Sequence, residues 1–424
     1  MEGRLLLRDC ALCGPDGVIR SGLSIMVEGN RLRGIAPSQQ LPTLPGDWEV
    51  PCRGRLVSMG LIDCHAHLVG RQLAPLRRCL GAAEGERRQR ALEAALNAGE
   101  VEALTALAVA RSLRAGTTFL VEHLHCPKDI EGALQRQAKA IRALGARAVV
   151  AHANNSDDGS AAGLHQVAAN AKFAADSRGD ELVRPGLGFA SVARCDDALL
   201  RELARSSQEL AVAIHGDIDS SAAARESESF ANAALARLRS LGLLDRNCAV
   251  ATGCREELLA LLPVEAPGLL RVIVPPHHCL PWRLEDFRER ISAAAVAIGS
   301  GDRPLKEAWQ WLSSQTDGRE LEHVAVETPA RFRSEVFGVP AGDIREGALA
   351  DLVVWEHIPA QEGAIGLARY LVEKGACVSA AWTIVNGRVV VREGQLLGHD
   401  YVSLAQEAAT SLNQLRRRAG LPSD

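Results

Sequence analysis

Between residues 58 and 300 the chain alternates two textures. Short apolar runs fall at 58–63, 117–122, 146–151, 185–190, 210–215, 247–251, 270–275 and 295–299. Nearly every run is followed by a longer stretch in which apolar residues recur at i, i+3 and i+4. EGALQRQAKAIRALG (131–145) and SFANAALARLRSLG (229–242) are examples, each closed by a glycine. The short runs have the length of buried strands and the long ones read as helices. Eight strand–helix units in about 280 residues match the size of a (β/α)8 TIM-type barrel. An open doubly wound sheet is the competing α/β arrangement. No G-x-G-x-x-G opens a helix after an early strand, which counts against the dinucleotide-binding version.

The two ends of the chain differ from the middle. RLLLRDCALC and LSIMVEGNRLRGIAP alternate and break at Gly, Asn and Pro. The texture returns in GALADLVVWE (347–356) and AAWTIVNGRVVVREGQ (380–395), where Asn386-Gly387 between β-branched runs is a hairpin signal. Both ends together are expected to build one small β-sandwich. The expected organisation is residues 1–56 and 340–400 in the sandwich, 57–339 in the barrel, and 401–424 as a C-terminal helix.

Composition narrows the function classes. A net charge of −4 on 424 residues gives no electrostatic case for nucleic acid or an anionic membrane surface. No run approaches the ~20 apolar residues that span a bilayer. The first residues, MEGRLLLRDCALCGPDG, make a poor signal peptide, and the 11 Cys are odd in number and scattered. These features lead us to expect reduced thiols and a cytoplasmic protein. A small-molecule substrate is the expected partner.

The histidines carry the chemical signal. His65 and His67 end the first barrel run, and His123 and His125 follow the second with the same spacing. His215 ends the fifth, and His277 and His278 follow the seventh. In a barrel the ends of the strands line the functional face. Seven of the 12 histidines therefore share one face. Asp217 has the same strand parity as His215 and points to the same side. Three neutral imidazoles and a water suffice to hold zinc in some catalytic sites.

LVSMGLIDCHAHLVG, RAGTTFLVEH (114–123), LAVAIHGDID (210–219), the long ETPARFRSEVFGVPAGDIREGALADLVVWE (327–356) and WTIVNGRVV (382–390) together resemble the amidohydrolase superfamily. The resemblance is to its branch of cytosine and guanine deaminases and triazine chlorohydrolases, and it covers nearly the whole chain. It implies a metal-dependent hydrolase of deaminase type, acting on a C–N bond of a small cyclic or amidine-like substrate. It also implies one divalent metal, zinc being the expected ion, held by His65, His67 and His215. The same resemblance exposes departures. The position three after His215 is Ile218, where the family has a proton-shuttling Glu. Thr252 stands where the sixth strand has His, and Gly301 where the eighth has Asp, with Asp302 one residue late.

The catalytic candidates are therefore Asp302 and Asp217. The candidates for substrate contact are His123, His125, Thr252 and His278. The joint loss at positions 218, 252 and 301 supports an alternative: a non-catalytic relative serving as a binding or structural subunit of an assembly. A homo-oligomer, or a place in a larger complex, is the expected state of association.

Overall fold

The computed structural model describes residues 3–13, 18–76, 82–218, 228–244, 248–252, 269–273, 295–301, 303–315, 318–337, 344–356, 366–374 and 379–421. Eight parallel strands form the central sheet, in the order of the chain: Leu61–Ala66, Thr117–Leu124, Arg147–Asn154, Leu187–Phe189, Ile214–Asp217, Cys248–Thr252, Leu269–Ile273 and Val296–Ile298. The short Val183–Pro185 pairs beside the third. A parallel bridge from Ala66 to Gly301 brings the eighth strand back to the first and closes the barrel. Helices follow the strands on the outside, as the alternation of textures predicts.

The barrel interior is apolar below the functional face. Phe119, Val121, Val149, Ala249, Ala251, Val272 and Ala297 form one buried cluster there. Alternate residues of the same strands, such as Ile214, Cys248 and Val250, pack outward with Leu199, Leu203 and Leu238. The period of two along each strand separates these two cores.

Two boundaries differ from the sequence reading. The run at 58–63 is two strands. Leu56–Met59 joins the sheet built by the chain ends, and Leu61–Ala66 belongs to the barrel. The run at 210–215 begins late, because the helix Asp197–Leu210 continues to Leu210 and ends on Ala211 in the left-handed region (φ 52°).

The chain ends meet in one mainly antiparallel sheet of nine strands among the described residues. The Asn386-Gly387 turn joins Ala380–Val385 to Arg388–Arg392, with both residues at positive φ (53° and 71°) as a tight hairpin requires. Ala11, Leu56, Val353 and Trp355 of this sheet pack with Val296, Ile298 and Trp309 of the barrel side. The helix Tyr401–Arg418 buries Ala408 and Leu415 in the core shared with the helix Ala98–Arg114. Among the described residues no helix is long and apolar enough to cross a membrane.

A buried ion pair staples the end sheet to the barrel. Arg147, at the start of the third barrel strand, donates from Nε to Asp351 (2.7 Å) and from Nη2 to the Asn386 side chain (2.6 Å). Asp351 also accepts from the Asn386 backbone (2.8 Å), and Arg333 Nη1 lies 3.7 Å away. Removing one partner of such a pair leaves a buried charge uncompensated, at a cost of about 3–5 kcal/mol. Arg147→Met should lower stability by about that much in urea unfolding, and Arg147→Met with Asp351→Leu should recover part of the loss. A wild-type unfolding midpoint in the single variant would contradict this role.

Candidate metal centre

The site is assembled at the seam of the barrel. Gly301 N donates to the His65 carbonyl (2.8 Å), and His67 N donates to the Gly301 carbonyl (3.1 Å). Gly301 sits at φ 54°, where a side chain is disfavoured. Next to it Asp63 accepts from Ser300 N (2.9 Å), from Ser300 Oγ and from Arg71 Nη2 (3.2 Å). Arg71 N in turn donates to the His67 carbonyl (2.7 Å). On the other side Leu68 N donates to the Glu122 carboxylate (2.8 Å). The backbone of both histidines is thus held by the last strand and by the second.

Their rings converge with those of His123 and His215. His65 Nε2 lies 2.9 Å from His67 Nε2, and His65 Nδ1 lies 2.5 Å from His215 Nε2. Asp217 closes the group, with Oδ1 3.5 Å from His65 Nε2 and Oδ2 3.7 Å from His123 Nδ1. One ligand atom from each of His65, His67, His123 and Asp217 lies within 4.8 Å of the others, and these four could hold a metal ion. Gly188 makes room on the fourth strand. A Cβ there would stand 3.1 Å from His123 Nε2 and 2.4 Å from the His152 carbonyl.

The electrostatics fit a cation. Burial holds His65 and His123 well below the usual imidazole range, with neighbouring imidazoles adding to the effect. Burial, with His67 beside it, lowers His215 to about 3. Neutral imidazoles present lone pairs, and only neutral imidazole ligates. Both ring nitrogens of His123 and Nδ1 of His215 are buried without a hydrogen-bond partner among the described residues. An unsatisfied buried polar atom costs about 1–3 kcal/mol, which an ion bound to it offsets.

The remaining sequence candidates are distributed differently. His125 leaves the cluster: its Nδ1 is 2.7 Å from Glu93 and its Nε2 2.9 Å from the Asn155 side chain. Thr252 is buried at the end of the sixth strand. Ile218 turns away from the cluster and packs into the outer core with Ile214 and Phe189, as its parity opposite to His215 and Asp217 demands. Asp302, His277 and His278 lie outside the described residues. Sequence reasoning took His123 for a substrate contact and did not single out Glu93. The repeated His-x-His spacing was the available signal for His123, while Glu93 sits in the helix Ala82–Ala95 without any local mark.

A closed parallel barrel with histidines and a carboxylate converging at its mouth defines a class of metal-binding α/β barrels. Residues 56–255, which include the first six barrel strands, match the Amidohydrolase family. A curated relative, the imidazolonepropionase of Acidiphilium cryptum (strain JF-5), is 35% identical over 63 residues. That match spans 14% of this chain and 16% of the relative. Among solved structures, an adenosine deaminase from Xanthomonas campestris with bound zinc aligns at TM-score 0.78 and 18% identity, over 97% of this chain and 98% of that one. Atrazine chlorohydrolase from Arthrobacter aurescens TC1, complexed with zinc, aligns at TM-score 0.76 and 16% identity, over 96% and 100%. At these identities the likeness is one of fold.

Glu122 yields a test independent of any ion. Burial pushes its carboxyl up to about 8, against the hydrogen bonds from Leu68 N and Gln137 Nε2. A carboxyl raised on folding contributes stability fully below its unfolded pKa of about 4.5 and loses it as pH rises toward 8. Glu122→Gln keeps the shape and removes the titration. An amide can accept only one of the two bonds that Leu68 N and Gln137 Nε2 donate to Glu122, so the variant's melting temperature relative to wild type should be several degrees higher at pH 8 than near pH 4.5. A variant equally destabilised at both pH values would contradict this.

Proposed function

We propose that this chain is a metal-dependent hydrolase of the deaminase type, cleaving a C–N bond of a small cyclic or amidine-like substrate. The observation that carries the reading is the convergence of His65, His67, His123 and Asp217 within 4.8 Å at the barrel mouth. The match of residues 56–255 to the Amidohydrolase family supports it. A divalent ion at that cluster, zinc in our reading, would supply Lewis acidity and a water acidic enough to attack near neutral pH.

The chain's own residues would do the rest. His65 and His67, held by backbone hydrogen bonds with Gly301, present preoriented ring nitrogens. Asp217 has two carboxylate oxygens, one toward His65 and one toward His123. One oxygen can face the ion while the other takes the proton of the attacking water. Water adds to the carbon, the C–N bond breaks, and the leaving nitrogen departs with that proton. Asp302 is the second carboxylate we assign to this proton traffic. His125, Thr252 and His278 would contact the substrate, and His215 would back the cluster through His65. We place the protein in the cytoplasm, as a homo-oligomer or a subunit of a larger complex, without a nucleic-acid or membrane partner.

One observation favours a second reading. Ile218 occupies the shuttle position and is sealed into the outer core, so it moves no proton. A positioned general acid–base is worth ~10²–10⁴ in rate. A non-catalytic binding or structural subunit would dispense with it.

Turnover separates the two. A panel of purines, pyrimidines and triazines should include a substrate whose hydrolysis stops on chelation, returns with Zn²⁺, and falls at least ~100-fold in His67→Ala. Ion-loaded protein without turnover on the whole panel would favour the non-catalytic subunit.

A further inference from the structure

We propose that His123, from the second barrel strand, is a metal ligand in this chain, and that His215 stands behind His65 instead of on the ion. The proposal rests on the metal-binding reading above and reassigns which residues do the binding. The superfamily resemblance would place ligands on strands one, five, six and eight. Here the sixth-strand position is Thr252 and the eighth is Gly301, so that set is short of two donors.

The geometry supplies a replacement. His215 Nε2 lies 2.5 Å from His65 Nδ1, the ring nitrogen of His65 that does not face His67. His65 Nε2 faces His67 Nε2 and Asp217 Oδ1. His123 Nδ1 faces the other oxygen of the same carboxylate. The atoms that converge are therefore those of His65, His67, His123 and Asp217, and His215 is outside the group.

Two further observations point the same way. His123 is buried, and neither ring nitrogen has a hydrogen-bond partner among the described residues. Gly188 leaves the space that the His123 ring occupies, since a Cβ would press on its Nε2 at 3.1 Å. Three imidazoles and one carboxylate are a donor set suited to zinc. A histidine that hydrogen-bonds the far nitrogen of a ligand fixes its tautomer and orientation, which is the part left to His215.

Zinc affinity, read by competition with a chromophoric chelator on metal-free protein, tests the assignment. His123→Asn should weaken binding by more than ~100-fold, and His215→Asn by about 10–100-fold, the range of an outer-shell partner. Melting temperatures of the metal-free variants report whether they fold. The zinc-loaded wild type gives a second measurement that needs no variant. Anomalous diffraction at the zinc edge should place the ion about 2.0–2.1 Å from a His123 nitrogen. Wild-type affinity in His123→Asn, or an ion bonded to His215 with His123 out of reach, would overturn the proposal while leaving the metal-dependent reading intact. A wild type that binds no zinc would overturn both.

Discussion

One parallel bridge, Ala66 to Gly301, decides whether this chain has a site at all. It closes the eight-stranded sheet at the place where the His-x-His motif ends the first strand. Its two hydrogen bonds run through the carbonyl of His65 and the amide of His67, so closing the barrel and orienting the histidines are one event. Gly301 serves this geometry through its backbone alone, at a positive φ. The carboxylate that the resemblance would place there is exchanged for a backbone fitting. Asp63, Ser300 and Arg71 reinforce the same seam with a buried, charge-assisted network.

Burial then sets the chemistry. Four imidazoles are packed within a few ångströms, and burial, with neighbouring rings adding to it, holds His65, His123 and His215 below the usual imidazole range. A neutral, lone-pair-rich cluster with one carboxylate attracts a cation, whereas protonating it costs desolvation and repulsion. The lost shuttle residue has a structural explanation as well. Ile218 is on the outward parity of its strand and contributes to the core that holds the neighbouring helices. The carboxylate that does face the cluster is Asp217, on the inward parity.

Much of the fold was legible because burial writes a period into the chain. All eight barrel strands overlap the apolar runs, since strands covered on both faces must be apolar along their length, although the first and fifth begin several residues later than their runs. The joint between the two sheets was harder. Leu56–Met59 and Leu61–Ala66 are both apolar, and only long-range pairing assigns one to the end sheet and the other to the barrel. The site followed the same rule. Asp217 could be placed by parity with His215. His123 could not be placed among the converging residues, because its neighbours come from strands far away in sequence. Glu93 pairs with His125 across the mouth, a contact between a helix and a strand that no local spacing encodes.

The account stands or falls on whether folding and cation binding are linked at this seam. Ligand bound by the folded state alone stabilises it by RT ln(1 + [L]/Kd), about 4 kcal/mol at a thousandfold excess over Kd. The direct measurement is the melting temperature of metal-free protein as Zn²⁺ is titrated in. The account predicts a rise that continues with the logarithm of free zinc in the wild type and is lost in His65→Asn/His67→Asn. A melting temperature indifferent to zinc, or the same rise in both proteins, would contradict it.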